Sequence, residues 1–476
     1  MFNAEAVIRR LGAPARELCC DSRRVRRGSV FVAYPGHVHD GRRHIAEAIR
    51  GGAAGVLWDP QGFAWPKDIV APNAPVPSLS ERVGLLADAV YGAPSRHLFV
   101  AAVTGTNGKT TTAHFAAQLI VQSGISGGII GTLGAGLWGK KMTSTDNTTP
   151  EAIAIHGFLR DFAAAGAQAA VLEASSHGIV QGRLGGVRIA AAVLTNIGRD
   201  HLDYHGDLKT YRRVKLSLLQ TEGLQTAIIN ADDSRCAAAV RRIRAKQVWT
   251  YGAKGETLRL ISATEKDGEQ IISLDGEQGR KKVRLPVLGR HNIDNFMAAA
   301  LVAQAAGARW EDMRPQELVP PQGRLQRINP GGHPAIYVDY AHTPDALHAA
   351  LTALKHRRGK LWVVFGCGGE RDSGKRRWMG RTAAMLADVA IVTDDNPRGE
   401  PAAEIRAQVM GGGLRLREVA DRSVAIATAI EEAAAADTIL IAGKGHEEYQ
   451  EISGQRRRFS DMETALAVSR ARSGQC

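Results

Sequence analysis

The hydrophobic residues of this chain gather in short continuous runs, and polar residues rich in glycine or proline follow most of them. Continuous apolar runs of this kind are typical of strands that are buried on both faces of a parallel sheet. Stretches long enough for a helix separate the runs, so the pattern predicts an α/β protein. The runs lie at 98–103, 169–173, 190–196, 226–230, 335–339, 361–366, 389–393 and 438–443.

Two stretches differ from this repeated pattern. The N-terminal stretch, residues 1–95, holds one short apolar strand, at 30–33, and a helix that ends at Gly51-Gly52. Residues 257–287 alternate between polar and apolar and carry the pairs Asp267-Gly268 and Asp275-Gly276. Such pairs favour the tight turns of hairpins, so we expect a small antiparallel addition to the central sheet.

The length of the chain and the spacing of the strands predict three domains. A chain of 476 residues is too long for one ordinary core. The stretch 91–97 resembles a linker, and a new series of strands begins after the polar segment 321–327. We therefore predict domains at residues 1–95, 96–322 and 323–476.

The net charge of +13 raises the question of a nucleic-acid partner. The basic residues form short separate runs, and no aromatic residues alternate with them as a stacking surface would require. Solvated surfaces explain these runs, so we expect no nucleic acid. An excess of positive charge also suits small polyanionic substrates.

The cysteines and the apolar segments bear on where the protein works. The five cysteines show no metal-binding spacing and fit a reducing compartment, so we expect a cytoplasmic protein. The first residues lack the apolar segment of a signal peptide, and no run reaches the length of a membrane span. We expect no membrane insertion, and we expect a monomer.

The clearest candidate for chemistry is the glycine-rich stretch that follows the strand at 98–103. Gly105, Gly108, Lys109 and Thr110 lie between this strand and a helix predicted from about 110 to 123. Backbone N–H groups and the helix N-terminus would hold phosphates, the lysine would reach the β/γ-phosphates, and the threonine hydroxyl would bind Mg²⁺. The loop is two residues shorter than the common phosphate loop, and a simple tight turn is the alternative.

Two further groups of polar residues follow neighbouring strands. Glu173 ends the next clear strand, where a carboxylate can reach a metal ion held at the loop, although a polar strand end is an alternative. The segment 195–215 is dense in acidic and histidine side chains, which suggests a second cation or a catalytic loop. An exposed charged loop is the alternative there. The side chains are Asp200, His201, Asp203, His205 and Asp207.

The ordered set of these loops resembles the Mur ligase family. In chain order the motifs are GTNGKTT, E-x-S-S-H-G, T-N-x-x-x-D-H-L-D-x-H-G, Y-x-x-x-K, G-R-H-N, G-R-L-Q, D-Y-A-H-T-P-D-A-L, D-D-N-P-R and G-K-G-H-E, and the matches run from Asp21 to Glu447. The resemblance implies a small N-terminal α/β domain that binds uridine. It also implies a central ATPase domain of P-loop type and a C-terminal Rossmann-like domain that brings an amino acid.

The resemblance also implies a reaction in peptidoglycan precursor synthesis. ATP phosphorylates the side-chain carboxylate of D-glutamate in UDP-N-acetylmuramoyl-L-alanyl-D-glutamate. The amine of meso-diaminopimelate then attacks the acyl phosphate, giving an amide, ADP and phosphate. A carboxylate is a poor electrophile, and phosphorylation supplies the leaving group while Mg²⁺ and Lys109 offset the crowded negative charge.

The family's nucleotide and metal positions map onto this chain residue by residue. The resemblance implies that ATP is bound by Gly105, Thr106, Asn107, Gly108, Lys109, Thr110, Thr111, Asn292, Asn295 and Asp339. It implies catalytic roles for Lys109, Glu173, His201 and Lys215, and a magnesium site at Thr110, Glu173, His201 and Lys215. Lys215 falls at the family's carbamylated lysine, which becomes an anionic ligand after reaction with CO₂, whereas an ordinary surface lysine is the alternative.

The two other substrates are also assigned through the resemblance. The UDP-sugar peptide matches Cys20, Ser22, His37, Val38, His39, Asn147, Thr148, Thr149, Ser175, Gln181 and Arg183. Meso-diaminopimelate matches Arg371, Asp395, Asn396, Pro397, Arg398, Gly443 and Glu447.

Other functions remain alternatives at this stage. A folylpolyglutamate synthetase or a lysine-adding ligase would share the phosphate loop, but the uridine-side motif and Arg398 argue against them. A solvent-facing turn is the alternative for Arg398 itself. A non-catalytic nucleotide-binding module is disfavoured because Lys109, Glu173, His201 and Lys215 are all present.

Overall fold

The computed structural model describes residues 2–36, 39–266, 268–329, 334–355 and 359–473. Three main sheets follow one another along the chain, and helices connect most of their strands. Most neighbouring strands are parallel, so the predicted α/β class is confirmed. The exact domain boundaries at 96 and 323 stay predictions.

The first sheet has four parallel strands in sequential order. Its second strand is the predicted apolar run, and all four of its residues are buried. The elements are α1 (Ala4–Leu11), β1 (Leu18–Cys19), β2 (Val30–Ala33), α2 (Ile45–Arg50), β3 (Gly55–Trp58), β4 (Asn73–Pro75) and α3 (Leu79–Val90).

The central sheet is the largest in the described part of the chain. Its elements are β5 (Phe99–Thr104), α4 (Lys109–Gln122), β6 (Gly127–Gly131), β7 (Gly134–Leu137), α5 (Ala152–Ala164), β8 (Ala169–Glu173), α6 (Ser176–Val180), β9 (Ala191–Leu194), α7 (Leu202–His205), α8 (Leu208–Ser217), β10 (Thr226–Asn230), α9 (Ser234–Ala237), β11 (Gln247–Gly252), β12 (Leu258–Lys266), β13 (Glu269–Gly276), β14 (Lys281–Leu285) and α10 (Arg290–Ala305). The strand order is β14-β13-β12-β11-β10-β9-β5-β8-β6-β7.

The third sheet and the elements around it complete the fold. The elements are β15 (Gln326–Arg327), β16 (Ala335–Asp339), α11 (Pro344–Leu354), β17 (Leu361–Phe365), α12 (Arg376–Leu386), β18 (Val389–Val392), α13 (Ala402–Met410), β19 (Leu416–Glu418), α14 (Arg422–Glu432), β20 (Thr438–Ala442), β21 (Tyr449–Ile452), β22 (Gln455–Arg458) and α15 (Asp461–Ser473). The sheet order is β15-β16-β20-β17-β18-β19, and β21 pairs with β22 in a separate hairpin.

The antiparallel addition is present as β12, β13 and β14, which pair in sequence at one edge of the central sheet. One predicted turn is wrong in detail. Asp275-Gly276 ends β13 and pairs with β12, and the chain reverses after it, where the N–H of Gly279 donates to the carbonyl of Gly276. Asp267 of the other pair lies outside the described residues.

The central sheet has a hydrophobic cluster on each face. Side chains of α4 and α10 pack on one face, and those of α5 pack on the other. The strands between them are almost completely buried, which explains their continuous apolar sequence. Within the described ranges, no helix combines the length and the apolar character needed to cross a membrane.

Candidate active site

A cavity of about 700 Å³ lies where the central sheet faces the third sheet. The loops after β5, β8, β9 and β16 line it, because the carboxyl ends of parallel strands gather at one edge of a sheet. Most of the residues predicted for nucleotide and metal binding therefore lie together. They include Lys109, Glu173, His201 and Lys215.

The glycine-rich loop between β5 and α4 has the backbone of a phosphate-binding loop. Gly108 has a φ of +86°, and a Cβ there would lie 2.3 Å from Asn295 Oδ1, so only glycine fits. Gly108 has no side chain that could cap α4, and none of the described side chains accepts from the first N–H groups of this helix, which leaves them for an anion. Lys109 Nζ donates to the carbonyls of Gly105 and Thr106, both at 2.9 Å, and so lies across the loop.

Side chains that follow β9 fix the shape of this loop. Thr195 Oγ1 donates to the carbonyl of Asn107 at 2.6 Å, and Asn196 Oδ1 accepts from the N–H of Asn107 at 2.9 Å. Thr106 Oγ1 lies 3.1 Å from Tyr211 Oη. The sequence motif contained Thr195 and Asn196, but their bracing role is visible only in the structure.

Glu173 is held directly beside the loop threonine. Thr110 Oγ1 donates to Glu173 Oε2 at 2.8 Å, and the N–H of Thr132 donates to Glu173 Oε1, also at 2.8 Å. The carboxylate is almost fully buried, and a Cβ on Gly131 would lie 2.3 Å from Oε1. An anionic group and a hydroxyl thus face the cavity side by side.

Lys215 is a buried amine rather than a surface lysine. It is 1% exposed, and its Nζ donates to the carbonyl of Gly105 at 2.8 Å. The Nζ also lies 4.6 Å from the centre of the Tyr211 ring. Burial and, after it, the charge of Lys109 hold the pKa of Lys215 well below its usual range. This environment therefore favours the neutral amine over the ammonium form.

His201 brings an imidazole to the same cavity. It lies at a φ of +54° immediately before α7, and its Nε2 is 3.3 Å from Asp200 Oδ2. Its Nδ1 is buried and has no hydrogen-bond partner in the described part of the chain. Burial lowers the pKa of His201 to about 3, against the opposing effect of Asp200, so the ring is neutral and its unpartnered nitrogen can bind a metal ion.

These groups fit a magnesium ion whose remaining ligands come from substrate and water. Among the described residues, no cluster of three His, Cys, Asp or Glu side chains forms a complete metal site. Mg²⁺ commonly binds through one or two protein groups together with phosphate oxygens and water. The paired Thr110 and Glu173 and the unpartnered nitrogen of His201 match that requirement.

Asp200 connects the His201 loop to the third sheet. Its Oδ1 lies 3.3 Å from Lys375 Nζ, and its Oδ2 lies 3.4 Å from His342 Nε2. Burial raises the pKa of Asp200, but Lys375 and the neighbouring histidines outweigh burial and hold that pKa well below its usual range. Arg199 adds a bidentate contact to Asp372 at 2.9 and 3.1 Å.

The three other nucleotide positions also reach the cavity. Asn292 and Asn295 lie on the first turns of α10, with Asn295 Nδ2 donating to Asn292 Oδ1 at 3.1 Å. Both oxygens of Asp339 are already used, since each accepts a backbone N–H at 2.7 Å, from Leu325 and from Ala341. Asp339 therefore fixes the backbone at Leu325 and Ala341, in addition to lining the cavity.

Arg324 is a cavity residue that the sequence interpretation did not assign. Its Nη2 lies 3.3 Å from Thr110 Oγ1, and its guanidinium lies 4.4 Å from the centre of the Tyr340 ring. The motif G-R-L-Q contains it, and that motif was the available signal. The sequence could not show that this segment returns to the phosphate loop.

The residues predicted for the UDP-sugar peptide are divided by the structure. Asn147, Thr148, Ser175, Gln181 and Arg183 line the cavity. Thr149 lies fully buried behind them. The remaining described residues of the set, Cys20, Ser22 and His39, do not line the cavity, and His37 and Val38 lie outside the described residues.

The residues predicted for meso-diaminopimelate form a second group beside the cavity. Arg371 lines the cavity itself, and the rest gather where β18 and β20 end. Asn396 Nδ2 donates to Glu447 Oε2 at 3.0 Å, and Lys444, which sequence reasoning missed, donates to Asn396 Oδ1 at 2.8 Å. The other members are Asp395, Pro397, Arg398 and Gly443.

Arg398 is held in a fixed position at the edge of this group. It adopts a φ of +52°, which is unusual for a residue other than glycine, and its Nη1 donates to the carbonyl of Gly369 at 2.7 Å. Its Nε lies 3.6 Å from Glu451 Oε2 on β21. Backbone strain of this kind persists where the surroundings enforce it, often at ligand sites.

Three family models match successive parts of the chain. They are described as "Mur ligase family, catalytic domain" for residues 15–91, "Mur ligase middle domain" for residues 103–303, and "Mur ligase, glutamate ligase domain" for residues 323–445. A solved structure of a MurF ligase from Thermotoga maritima in complex with ADP shares the fold. Its TM-score is 0.72 at 20% identity, over 97% of this chain and 99% of that one.

Two proteins with higher sequence identity to this chain share one enzyme name. The UDP-N-acetylmuramoyl-L-alanyl-D-glutamate–2,6-diaminopimelate ligase of Chromobacterium violaceum is 43% identical over 97% of this chain and 95% of its own length. A solved structure of a ligase with that name is 35% identical and has a TM-score of 0.67, over 97% of this chain and 96% of that one. With relatives this similar over nearly its whole length, the chain belongs to the Mur ligase family.

Proposed function

We propose that this protein is the ATP-dependent ligase that adds meso-2,6-diaminopimelate to UDP-N-acetylmuramoyl-L-alanyl-D-glutamate in peptidoglycan precursor synthesis. One arrangement carries the proposal. The phosphate loop with Lys109, the Thr110–Glu173 pair and buried Lys215 share a single cavity with Arg183 and Arg371. The similar relatives, which bear this enzyme name over almost the whole chain, support the same substrates.

The nucleotide would lie with its phosphates at the N-terminus of α4. The uncapped N–H groups and Lys109 Nζ bind phosphate oxygens and offset their charge while the γ-phosphoryl group moves to the substrate carboxylate. When bound, Mg²⁺ would be held by Thr110, Glu173, His201 and a carbamate on Lys215, and it supplies further charge neutralisation. Arg183 and the other predicted substrate residues that line the cavity hold the UDP-sugar peptide.

The acceptor amine arrives from the third sheet. Arg371 and Arg398 supply charges for the carboxylates of meso-diaminopimelate, and Asp395 and Glu447 supply charges for its distal ammonium. Lysine lacks the distal carboxylate, so it would leave Arg398 without that partner. Losing a charge-assisted hydrogen bond in a buried site costs about 1.5–3 kcal/mol, enough to discriminate between the two amino acids.

The decisive experiment traces an oxygen atom from the substrate carboxylate to the inorganic phosphate. The D-glutamate carboxylate of the UDP-sugar peptide is labelled with oxygen-18, and the protein is given ATP, Mg²⁺ and meso-diaminopimelate. If the acyl phosphate forms, one labelled oxygen leaves in the inorganic phosphate, and mass spectrometry detects it there. Unlabelled phosphate, or ATP hydrolysis that needs neither of the other substrates, would contradict the proposal.

We expect Arg398→Ala to raise the KM for meso-diaminopimelate by about tenfold to a hundredfold, the equivalent of one lost charge-assisted hydrogen bond. The KM for ATP should stay nearly the same, because Arg398 lies beside β21 rather than in the cavity. Steady-state kinetics with each substrate varied in turn measure both constants.

Arg457→Ala is the matched control for this change. Arg457 is an exposed arginine on β22 of the adjoining hairpin, so its removal alters the net charge equally. Equal rises in both KM values for Arg398→Ala, or the same KM change in the control, would count against a local role in amino-acid binding.

A further inference from the structure

Two glycines bring the N-terminal part of the chain into direct backbone contact with the central domain. Gly84 lies on α3, and a Cβ on it would lie 2.2 Å from the carbonyl oxygen of Gly185. In the other direction, a Cβ on Gly186 would lie 2.7 Å from the carbonyl oxygen of Gly84. Contact distances this short exclude a side chain at Gly84 and at Gly186, so α3 and the segment 185–186 can approach this closely only because both residues are glycines.

His156 holds the same carbonyl from a third element. It lies on α5 and is fully buried, and its Nε2 donates to the carbonyl of Gly185 at 2.9 Å. The donor must be Nε2–H because a carbonyl only accepts. The other ring nitrogen lies 3.6 Å from Asp88 Oδ1, which is one turn beyond Gly84 on α3. Gly185 is therefore fixed by α3 on one side and by α5 on the other.

The fixed segment continues directly into substrate-facing residues. Gln181 and Arg183 line the cavity a few residues before Gly185. Gln181 is the C-cap of α6, and Arg183 lies in the tight turn that follows, in which the N–H of Gly185 donates to the carbonyl of Gly182. Arg183 Nη1 donates to the carbonyl of Thr149 at 2.7 Å, and its Nη2 lies 3.0 Å from Glu151. A shift at Gly185 would thus move the side chains that face the UDP-sugar peptide.

We propose that the contact between Gly84, Gly185 and His156, here named the glycine joint, positions the turn 181–183 for binding the UDP-sugar peptide. Gly84 and His156 are positioning residues, since neither lines the cavity. The inference rests on the function proposed above for the same cavity. A methyl group on Gly84 would push the turn away by a distance comparable to the 1 Å displacements that impair binding and catalysis elsewhere.

The test compares Gly84→Ala with Gly157→Ala. Gly157 follows His156 on α5, and a Cβ there would meet nothing within 4 Å, so this variant controls for a glycine-to-alanine change in a helix. We expect Gly84→Ala to raise the KM for the UDP-sugar peptide about tenfold, with the KM values for ATP and meso-diaminopimelate nearly unchanged. Isothermal titration of the UDP-sugar peptide alone should show the same loss of affinity without any chemistry.

A second pair of variants decides the matter if Gly84→Ala does not fold. His156→Gln keeps an N–H donor for the carbonyl of Gly185, whereas His156→Leu removes it. If the glycine joint positions the turn, the KM for the UDP-sugar peptide should rise in the leucine variant and stay close to the wild-type value in the glutamine variant. Thermal melting recorded alongside separates a loss of stability from a loss of affinity.

The outcomes distinguish this inference from the proposed function. If the wild-type protein does not turn over the UDP-sugar peptide, the proposed function fails. If the wild type is active but the Gly84 and His156 variants lose only thermal stability, or change all three KM values alike, the glycine joint is structural packing and the inference is overturned.

Discussion

Lys215→Ala is expected to lower kcat by about a thousandfold, the scale of losing a main electrostatic partner of a charged transition state. The side chain is fully buried beside the phosphate loop, and its nitrogen bonds the carbonyl of Gly105. As an ammonium it would add a cation next to Lys109, which is the wrong charge for holding Mg²⁺. As a carbamate it supplies an anionic oxygen.

The local environment favours the carbamate. A neutral amine attacks CO₂, forms the N–C bond and releases one proton, so the reaction needs the unprotonated form. Burial, assisted by Lys109, lowers the pKa of Lys215 and populates that form. The N–H that remains after modification can still donate to the carbonyl of Gly105. We therefore expect a carbamate signal in the ¹³C NMR spectrum of wild-type protein equilibrated with ¹³C-bicarbonate, and none from Lys215→Ala.

Rescue separates this explanation from general damage. Lys215→Ala leaves room for a small anion, so acetate or formate should restore part of the activity, whereas chloride should not. Lys209→Ala removes an exposed lysine from the same helix, α8, and should leave kcat nearly unchanged. Normal activity of Lys215→Ala, or equal recovery with any salt, would show that the site needs no anion at this position.

The strands were predictable because they are buried on both faces. The apolar runs at 169–173, 226–230 and 335–339 coincide with β8, β10 and β16 residue for residue. The start of helix α11 could also be predicted from the sequence, because threonine is a favoured N-cap residue and proline a favoured first residue of a helix. In the structure Thr343 caps α11 and Pro344 is its first residue. The rule that ligands gather at the carboxyl ends of parallel strands explains why the phosphate loop, Glu173 and the His201 loop share one cavity in the structure.

Contacts between distant segments were not predictable from the same rules. Nothing local to Arg324 indicates that it reaches Thr110, and nothing local to Lys375 indicates that it reaches Asp200. Such pairs depend on how the third sheet faces the central one, which no pattern of apolar residues specifies. The turn at Asp275-Gly276 was misplaced for a related reason, since pairing with β12 extends β13 through that pair.

Asp200→Asn is expected to lower kcat by about a hundredfold to a thousandfold, because it leaves Lys375 buried without its counter-charge. Both side chains are 5% exposed in the structure. Removing one partner of a buried pair costs about 3–5 kcal/mol, and here the cost falls on the arrangement that joins the His201 loop to the third sheet. Steady-state kinetics and thermal melting of the variant measure the effect on turnover and on stability.

A double-mutant cycle then isolates the pair. Lys375→Met removes the stranded ammonium, so the double variant Asp200→Asn/Lys375→Met should recover part of the activity that Asp200→Asn loses. Arg199→Ala breaks the neighbouring pair with Asp372, in which the arginine is 47% exposed and the aspartate 5%, so it should cost less than the loss of either member of the Asp200–Lys375 pair, where both are buried. Additive losses at positions 200 and 375 would mean that the buried pair does not couple the two sheets. Coupling would mean that the acceptor side of the cavity and the phosphate side are assembled together, because His201 follows Asp200 directly in the chain.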